Sequence, residues 1–177
     1  KNKKYIKKKK KNKILKYYIN LILNNQDKII IENLKDLEKA KTNKLKENLI
    51  KRLLLNKKKI LQITNSIKTI ISFKDPVNQT LRKWKRPNGL QIEKKTIPIG
   101  IISVIYESRP NVTSDVAALC FKSGNPVILK GGSEAYFSNK ILSDLFKKAL
   151  RKNKVNSNYV QFIESKERKV VDILLSK

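Results

Sequence analysis

The chain has 177 residues, of which 42 are Lys or Arg and 14 are Asp or Glu, so its formal net charge is +28. A single Cys and the absence of His exclude an internal disulfide, the usual zinc sites and every His-based catalytic triad. No apolar run approaches the roughly 20 residues that a membrane helix needs, and a lone Cys fits a reducing compartment, so we predict a cytoplasmic protein without a membrane partner.

The positive charge is concentrated in the first half of the chain, and ten of the first sixteen residues are Lys. We predict a disordered Lys-rich tail over residues 1–13. Such a charge attracts phosphate at low salt, so non-specific binding of nucleic acid is expected. Lys, Asn and Ile can all be encoded by A and T alone, however, and a base-composition bias explains the Lys excess. A basic nucleic-acid-binding module therefore stays as an alternative function.

Helical spacing of apolar residues dominates the next part of the chain, and neither Gly nor Pro interrupts it before residue 76. The spacing forms four stripes: Ile14, Leu15, Tyr18, Ile19 and Ile22; Ile29, Ile30, Leu34 and Leu37; Leu45, Leu49, Leu53 and Leu54; and Ile60, Ile63, Ile67 and Ile70. We therefore predict a helical N-terminal region over residues 14–88, before the turn signal Pro87-Asn88-Gly89.

From residue 89 onward, β-branched runs alternate with helical patterns. Predicted strands are one around 90–92, one over 99–106 that is buried on both faces, and two more over 126–130 and 159–163. Predicted helices cover 113–123, capped by Thr113 or Ser114, then 134–151 and 166–175. This order indicates an α/β fold with the first half of a doubly wound parallel sheet, and residues 89–177 are predicted to be a partial dinucleotide-binding domain that stops in mid-domain.

The turn after the 99–106 strand is a candidate substrate site, because open parallel sheets bind ligands at the carboxyl ends of their strands. Arg109 can bind a carboxylate or phosphate there, and the Asn111 amide can donate to a developing oxyanion. The alternative, which the local residues favour, is that Pro110 and Asn111 form an ordinary turn of the chain.

The turn after the 126–130 strand is a candidate cofactor site. Lys130 offers a cation to ribose hydroxyls or a phosphate, Gly131 and Gly132 allow the backbone to approach a ligand, and Glu134 can accept from a ribose hydroxyl. The alternative is an ordinary strand-to-helix turn with Ser133 as the N-cap.

Cys120 is the only thiol in the sequence, and it lies among apolar residues in the middle of a predicted helix. With no His to activate it, we predict a buried structural thiol rather than a nucleophile. No metal site is predicted.

Residues 97–134 as a whole resemble gamma-glutamyl phosphate reductase, also called glutamate-5-semialdehyde dehydrogenase, in the aldehyde dehydrogenase superfamily. The segments YESRPNVT, LCFKSGN and LKGGSEA carry this resemblance in their order and spacing. Weaker similarity extends from about residue 20 to the C-terminus, and it matches only the N-terminal part of the family's chain, less than half of it.

The resemblance implies an oxidoreductase of proline biosynthesis that uses NADPH to reduce L-glutamate 5-phosphate to L-glutamate 5-semialdehyde and phosphate. It implies that Asn111 supports the oxyanion and that Lys130 binds the adenosine ribose, with Ser133 and Glu134 in the same turn. The family's catalytic Cys has no counterpart here, and Cys120 does not match it. A chain that is inactive alone, a decayed remnant and a homo-oligomer of the full-length form all stay open.

Overall fold

The computed structural model describes residues 5–165, 167 and 169–176, and none of its described helices is long and apolar enough to cross a membrane. The first half of the chain forms four helices, α1 (Lys8–Asn24), α2 (Gln26–Thr42), α3 (Glu47–Leu53) and α4 (Lys57–Ser72), followed by a hairpin of β1 (Thr80–Lys85) and β2 (Gln91–Lys95). The second half comprises β3 (Ile102–Tyr106), α5 (Pro110–Lys122), β4 (Val127–Gly131), α6 (Tyr136–Lys152), β5 (Val160–Phe162) and α7 (Lys169–Leu175).

Strands β3, β4 and β5 form one parallel sheet in that order, which confirms the predicted α/β class. The side chains of Val127, Leu129 and Val160 are fully buried in the core that also contains residues of α1, α4, α5 and α6. The prediction of a strand buried on both faces over 99–106 is wrong. Strand β3 pairs only with β4 among the described strands, and the side chains on one of its faces, Ser103 and Ile105, are exposed, Ile105 to 44%.

The helical stripes differ in how far they are buried. Every residue of the first and fourth stripes lies in the core, where α1 packs against α4. In the second and third stripes Leu34, Leu49 and Leu54 are exposed, and α3 is only seven residues long. The last of these helices ends at Ser72. The prediction of a helical region over 14–88 is therefore wrong for its last part, which contains β1.

The start of α1 corrects the prediction of a disordered tail over 1–13. Residues 8–13 are helical, and the Lys11 side chain is only 1% exposed. Its Nζ lies 2.7 Å from a carboxylate oxygen of Asp75 and donates to the carbonyl oxygen of Lys122 at 2.7 Å. A buried ammonium is tolerated when such partners replace its water. The part of the tail over residues 1–4 lies outside the described residues.

Candidate functional site

The turn after β3 leads directly into α5. Arg109 has an extended backbone at the N-cap position and Pro110 occupies the first helical turn, so the predicted start at Thr113 or Ser114 is wrong. Pro is favourable in the first helical turn, because the N–H group that it lacks would have no acceptor within the helix there. The guanidinium Nε of Arg109 lies 3.5 Å from the exposed carboxylate of Glu107.

Thr113 and Ser114 instead connect elements of the core. The Tyr106 hydroxyl lies 2.7 Å from Thr113 Oγ1, which donates to Asn139 Oδ1 at 2.8 Å. Ser114 Oγ lies 2.8 Å from the hydroxyl of Tyr18 on α1. Burial raises the pKa of Tyr106 to about 12, so this hydroxyl stays protonated at physiological pH. These bonds hold the ends of β3, α5 and α6 together.

The turn after β4 is tightly packed. Lys130 is 7% exposed, and its Nζ donates to the carbonyl oxygen of Gly131 at 3.3 Å. A Cβ on Gly131 would overlap the Asn139 amide and lie 3.0 Å from the Tyr106 ring. The two strand ends therefore approach each other more closely than a residue with a side chain would allow.

Ser108 joins the two turns. Its hydroxyl donates to the carboxylate of Glu134, and a Cβ on Gly132 would overlap the same hydroxyl. Ser133 also donates to Glu134, at 3.2 Å. The hydrogen bond from Ser108 is the main reason why the pKa of Glu134 lies below its usual range, so the carboxylate is ionised at neutral pH. A cleft of about 350 Å³ opens here, with Arg52, Glu107, Ser108, Gly132 and Glu134 among its lining residues.

Asn111 does not line this first cleft. It is exposed in the first turn of α5, and its Nδ2 donates to Asp115 Oδ2 at 3.3 Å. It lines a second cleft, of about 320 Å³, between α4 and α5. The structure therefore brings Glu134 and Gly132 together but separates Asn111 from them, and Arg52 lines both clefts.

The N-terminus of α6 is closed by a residue that sequence reasoning missed. Asp36, buried on α2, accepts from the backbone N–H groups of Phe137 and Ser138 at 3.0 and 2.8 Å and from the Ser138 hydroxyl at 2.7 Å. Its pKa is raised, mainly because burial disfavours the charged form. In sequence, Asp36 resembles any charged residue of an amphipathic helix, and no local signal separates it from Glu38.

Cys120 lies in α5 with 8% of its surface exposed, and burial raises the pKa of its thiol. Both features are those of an inert structural cysteine. Among the residues that the structure describes, no group of three or more His, Cys, Asp or Glu side chains is arranged to hold a metal ion.

Several known proteins are similar to this chain. No protein-family model matches the sequence. Gamma-glutamyl phosphate reductase of Petrotoga mobilis is 44% identical over 163 residues, 92% of this chain and 39% of that protein. The enzyme of the same name from Aquifex aeolicus is 44% identical over 161 residues, which are 91% of this chain and 37% of that enzyme. This chain is homologous to a part of gamma-glutamyl phosphate reductase. It spans about two fifths of the length of these relatives.

Solved structures agree with this finding. A gamma-glutamyl phosphate reductase from Thermotoga maritima superposes with a TM-score of 0.92 at 38% identity, over 94% of this chain and 40% of that one. The protein of the same name from Saccharomyces cerevisiae superposes with a TM-score of 0.85 at 30% identity, over 92% of this chain and 42% of that one. A propionaldehyde dehydrogenase from Clostridium phytofermentans, at a TM-score of 0.67 and 11% identity, covers 97% of this chain and 36% of its own. That likeness shows the aldehyde-dehydrogenase-like fold alone.

Proposed function

We propose that this chain provides the substrate and cofactor turns for the NADPH-dependent reduction of L-glutamate 5-phosphate to L-glutamate 5-semialdehyde and phosphate, a step of proline biosynthesis. The observation that carries the proposal is the meeting of the β3 and β4 turns through Ser108 and Glu134, in a chain homologous to gamma-glutamyl phosphate reductases. Ligands of open parallel sheets bind at this edge.

The substrate side of the proposal rests on the start of α5. The exposed guanidinium of Arg109 would bind the phosphate or a carboxylate of the substrate, because its planar donors match such oxygens in pairs. The Asn111 amide would donate to the oxygen that becomes negative during acyl transfer. Arg52, which lines both clefts, adds a second cation to the substrate side.

The cofactor side rests on Lys130 and Glu134, which fit a ribose. Glu134 is held as an ionised acceptor by Ser108, and the ammonium of Lys130 is a nearby donor that attracts this carboxylate. The bound cofactor would supply the hydride. The N–H groups of Phe137 and Ser138 already donate to Asp36, so the N-terminus of α6 is not assigned to a cofactor phosphate.

No thiol in residues 1–177 is suited to the acyl-transfer step. Cys120 is buried, its pKa is raised, and no His is present to deprotonate it. We infer that residues 1–177 alone bind ligands without turning them over. An inactive remnant would behave in the same way in a turnover assay, so ligand binding separates the two cases.

NADPH titration of residues 1–177 tests this proposal. We expect binding at millimolar concentration, weakened in Lys130→Ala by about 1–3 kcal/mol, the typical loss for a charge-assisted contact. Lys148→Ala, which changes an exposed Lys of α6, serves as the control and should bind as the parent does. Equal affinity in Lys130→Ala and the parent would remove Lys130 from the site, and no binding at all would favour the remnant.

The role of Asn111 is tested in a chain extended by the remaining three fifths of a relative such as the Thermotoga maritima enzyme. Asn111→Ala should lower turnover about 10²–10³-fold, as the loss of an oxyanion donor does, with little change in NADPH affinity. Reductase activity from residues 1–177 without that extension would contradict the absence of a usable nucleophile.

A further inference from the structure

The second cleft contains charged and polar side chains that the proposed function leaves without a role. It lies between the start of α4 and the start of α5, at about 320 Å³, which is the lower end of the range for small-ligand sites. Its polar lining consists of Arg52, Lys59, Gln62, Ser66, Asn111 and Asp115. The cleft therefore presents both cations and a carboxylate to one small volume.

Asp115 is the unusual member of this set. Its Oδ1 atom is buried, and no hydrogen-bond partner for it lies among the described residues. Within the described part of the chain, its Oδ2 atom accepts from Asn111 Nδ2 alone, at 3.3 Å, which is longer than the usual 2.7–3.2 Å range of such bonds. A partly buried carboxylate in this state has lost water without gaining an equivalent partner.

The other carboxylates that are at least partly buried have stronger partners. In the described chain, Glu32 pairs with Lys35, Asp36 caps α6, Asp75 pairs with Lys11, and Glu134 accepts from Ser108. Of these five carboxylates, Asp115 has the longest hydrogen bond and is the one with an unpaired buried oxygen. Because protein atoms cover Oδ1, an ammonium supplied by a ligand in the cleft would bind this carboxylate at Oδ2.

Groups that attract an anion lie on the same cleft. The α5 N-terminus has no side-chain cap and no acidic residue in its first turn, so its positive dipole end is not neutralised within the described α5. Arg52 is about half exposed, and its nearest carboxylate partner, Glu107, is 3.6 Å away and itself exposed. Such a loose pair leaves the guanidinium available to a stronger carboxylate ligand.

We propose that the second cleft binds the amino-acid head of the substrate, with Asp115 receiving the α-ammonium and Arg52 the α-carboxylate. This inference rests on the proposed function, since it assigns recognition residues for the same glutamyl substrate. A ligand with adjacent positive and negative charges matches a cleft that carries both signs, whereas a simple dicarboxylate would leave Asp115 unpaired. An ammonium on Asp115 also replaces the long bond from Asn111, which frees the Asn111 amide for the reacting carbonyl.

Binding of L-glutamate to residues 1–177 tests the inference without cofactor or turnover. Three probes are titrated while the side-chain amide of Asn111 is followed by NMR: L-glutamate, glutarate, which lacks the ammonium, and 4-aminobutyrate, which lacks the α-carboxylate. The parent chain should bind L-glutamate at least about tenfold more tightly than either analogue, the scale of one charge-assisted bond. The Asn111 amide resonance should move on binding.

Two variants assign the charges separately. Asp115→Asn should lose at least about tenfold for L-glutamate and less than twofold for glutarate, while Arg52→Gln should lose affinity for L-glutamate but not for 4-aminobutyrate. Glu38→Gln, an exposed change on α2, is the matched control and should leave all three affinities unchanged.

Equal binding of L-glutamate and glutarate in the parent chain would overturn the inference, as would an Asp115→Asn chain that still distinguishes them. An Asn111 amide resonance that does not move at any L-glutamate concentration up to the solubility limit would also overturn it. In each case the effect of Lys130→Ala on NADPH binding judges the proposed function independently.

Discussion

Helices α5 and α6 both follow a strand of the parallel sheet, but their first turns are completed in different ways. The start of α6 is capped by Asp36, a carboxylate from a helix about 100 residues earlier in the chain. The start of α5 has Pro110 in its first turn and no side-chain cap from Arg109. A helix N-terminus attracts anions only where its N–H groups are not already used. We therefore expect anion binding at α5 rather than at α6, where the N–H groups of Phe137 and Ser138 donate to Asp36.

The largest effect is expected from removing the cap of α6. Asp36→Ala deprives two backbone N–H groups and the Ser138 hydroxyl of their acceptor in a buried place, so it should lower the free energy of unfolding by about 2–3 kcal/mol. Urea denaturation measures this loss. Glu38→Ala on the exposed face of α2 is the control and should change it by less than about 0.5 kcal/mol. Similar losses in both variants would show that Asp36 does not anchor α6.

A side chain at Gly132 should disturb the meeting of the two turns. In Gly132→Ala the new Cβ overlaps Ser108 Oγ, and the strain should lower the free energy of unfolding by about 1–2 kcal/mol. Part of that loss should be recovered in the double variant with Ser108→Gly, which removes the overlapping hydroxyl. Gly89→Ala is not a suitable control, because Gly89 has a positive φ of 85°. Strictly additive losses in the double variant would argue against the contact.

At the start of α5, adding a cap should raise stability. Arg109→Ser provides a capping hydroxyl at the N-cap, where the backbone is already extended, and should raise the free energy of unfolding by about 0.5–1 kcal/mol. It removes only an exposed pair with Glu107, which contributes little. Thermal unfolding at matched pH measures the gain. A loss of stability would mean that the first turn of α5 is already satisfied.

The smallest effect is a change in titration rather than in stability at neutral pH. Ser108→Ala should raise the pKa of Glu134, because the hydrogen bond from Ser108 is the main cause of its lowered value. A lowered pKa in the folded state stabilises the protein above the ordinary carboxyl range, and this contribution is lost as the pH falls through the folded-state pKa. In Ser108→Ala the acid-induced loss should therefore be smaller, and NMR of the Glu134 carboxyl measures the shift. An unchanged pKa would show that Ser108 does not hold this carboxylate.

Much of the fold follows from local patterns in the sequence. The stripes of α1 and α4 are fully buried as their spacing predicts, and the short β-branched runs after residue 126 become β4 and β5 within one or two residues of the predicted bounds. These predictions succeed because 3.6-residue and 2-residue periodicity reflects which face meets the core. The segments that resemble the reductase family are likewise contiguous, so the homology is visible in the sequence alone.

Contacts between distant segments explain what local patterns miss. A Lys-rich start resembles a solvated tail, yet Lys11 is buried because Asp75 and Lys122 approach it from 64 and 111 residues away. Strand β3 has the composition of a doubly buried strand, but its exposure depends on which neighbours the sheet provides. The candidate site shows the same division, since Asn111 and Glu134 belong to similar strand-end turns and still line different clefts.

The amino-acid sequence alone specified the α/β class, most element positions, the resemblance to a part of gamma-glutamyl phosphate reductase and the two turns that carry polar side chains, because each depends on residues adjacent in the chain. Three features depended on the folded chain: the Asp36 cap on α6, the contact of Ser108 with Glu134, and the unpaired oxygen of Asp115. The partner of a carboxylate is the donor that the packing of the chain brings within about 3 Å of it. Sequence periodicity contains no information about that distance.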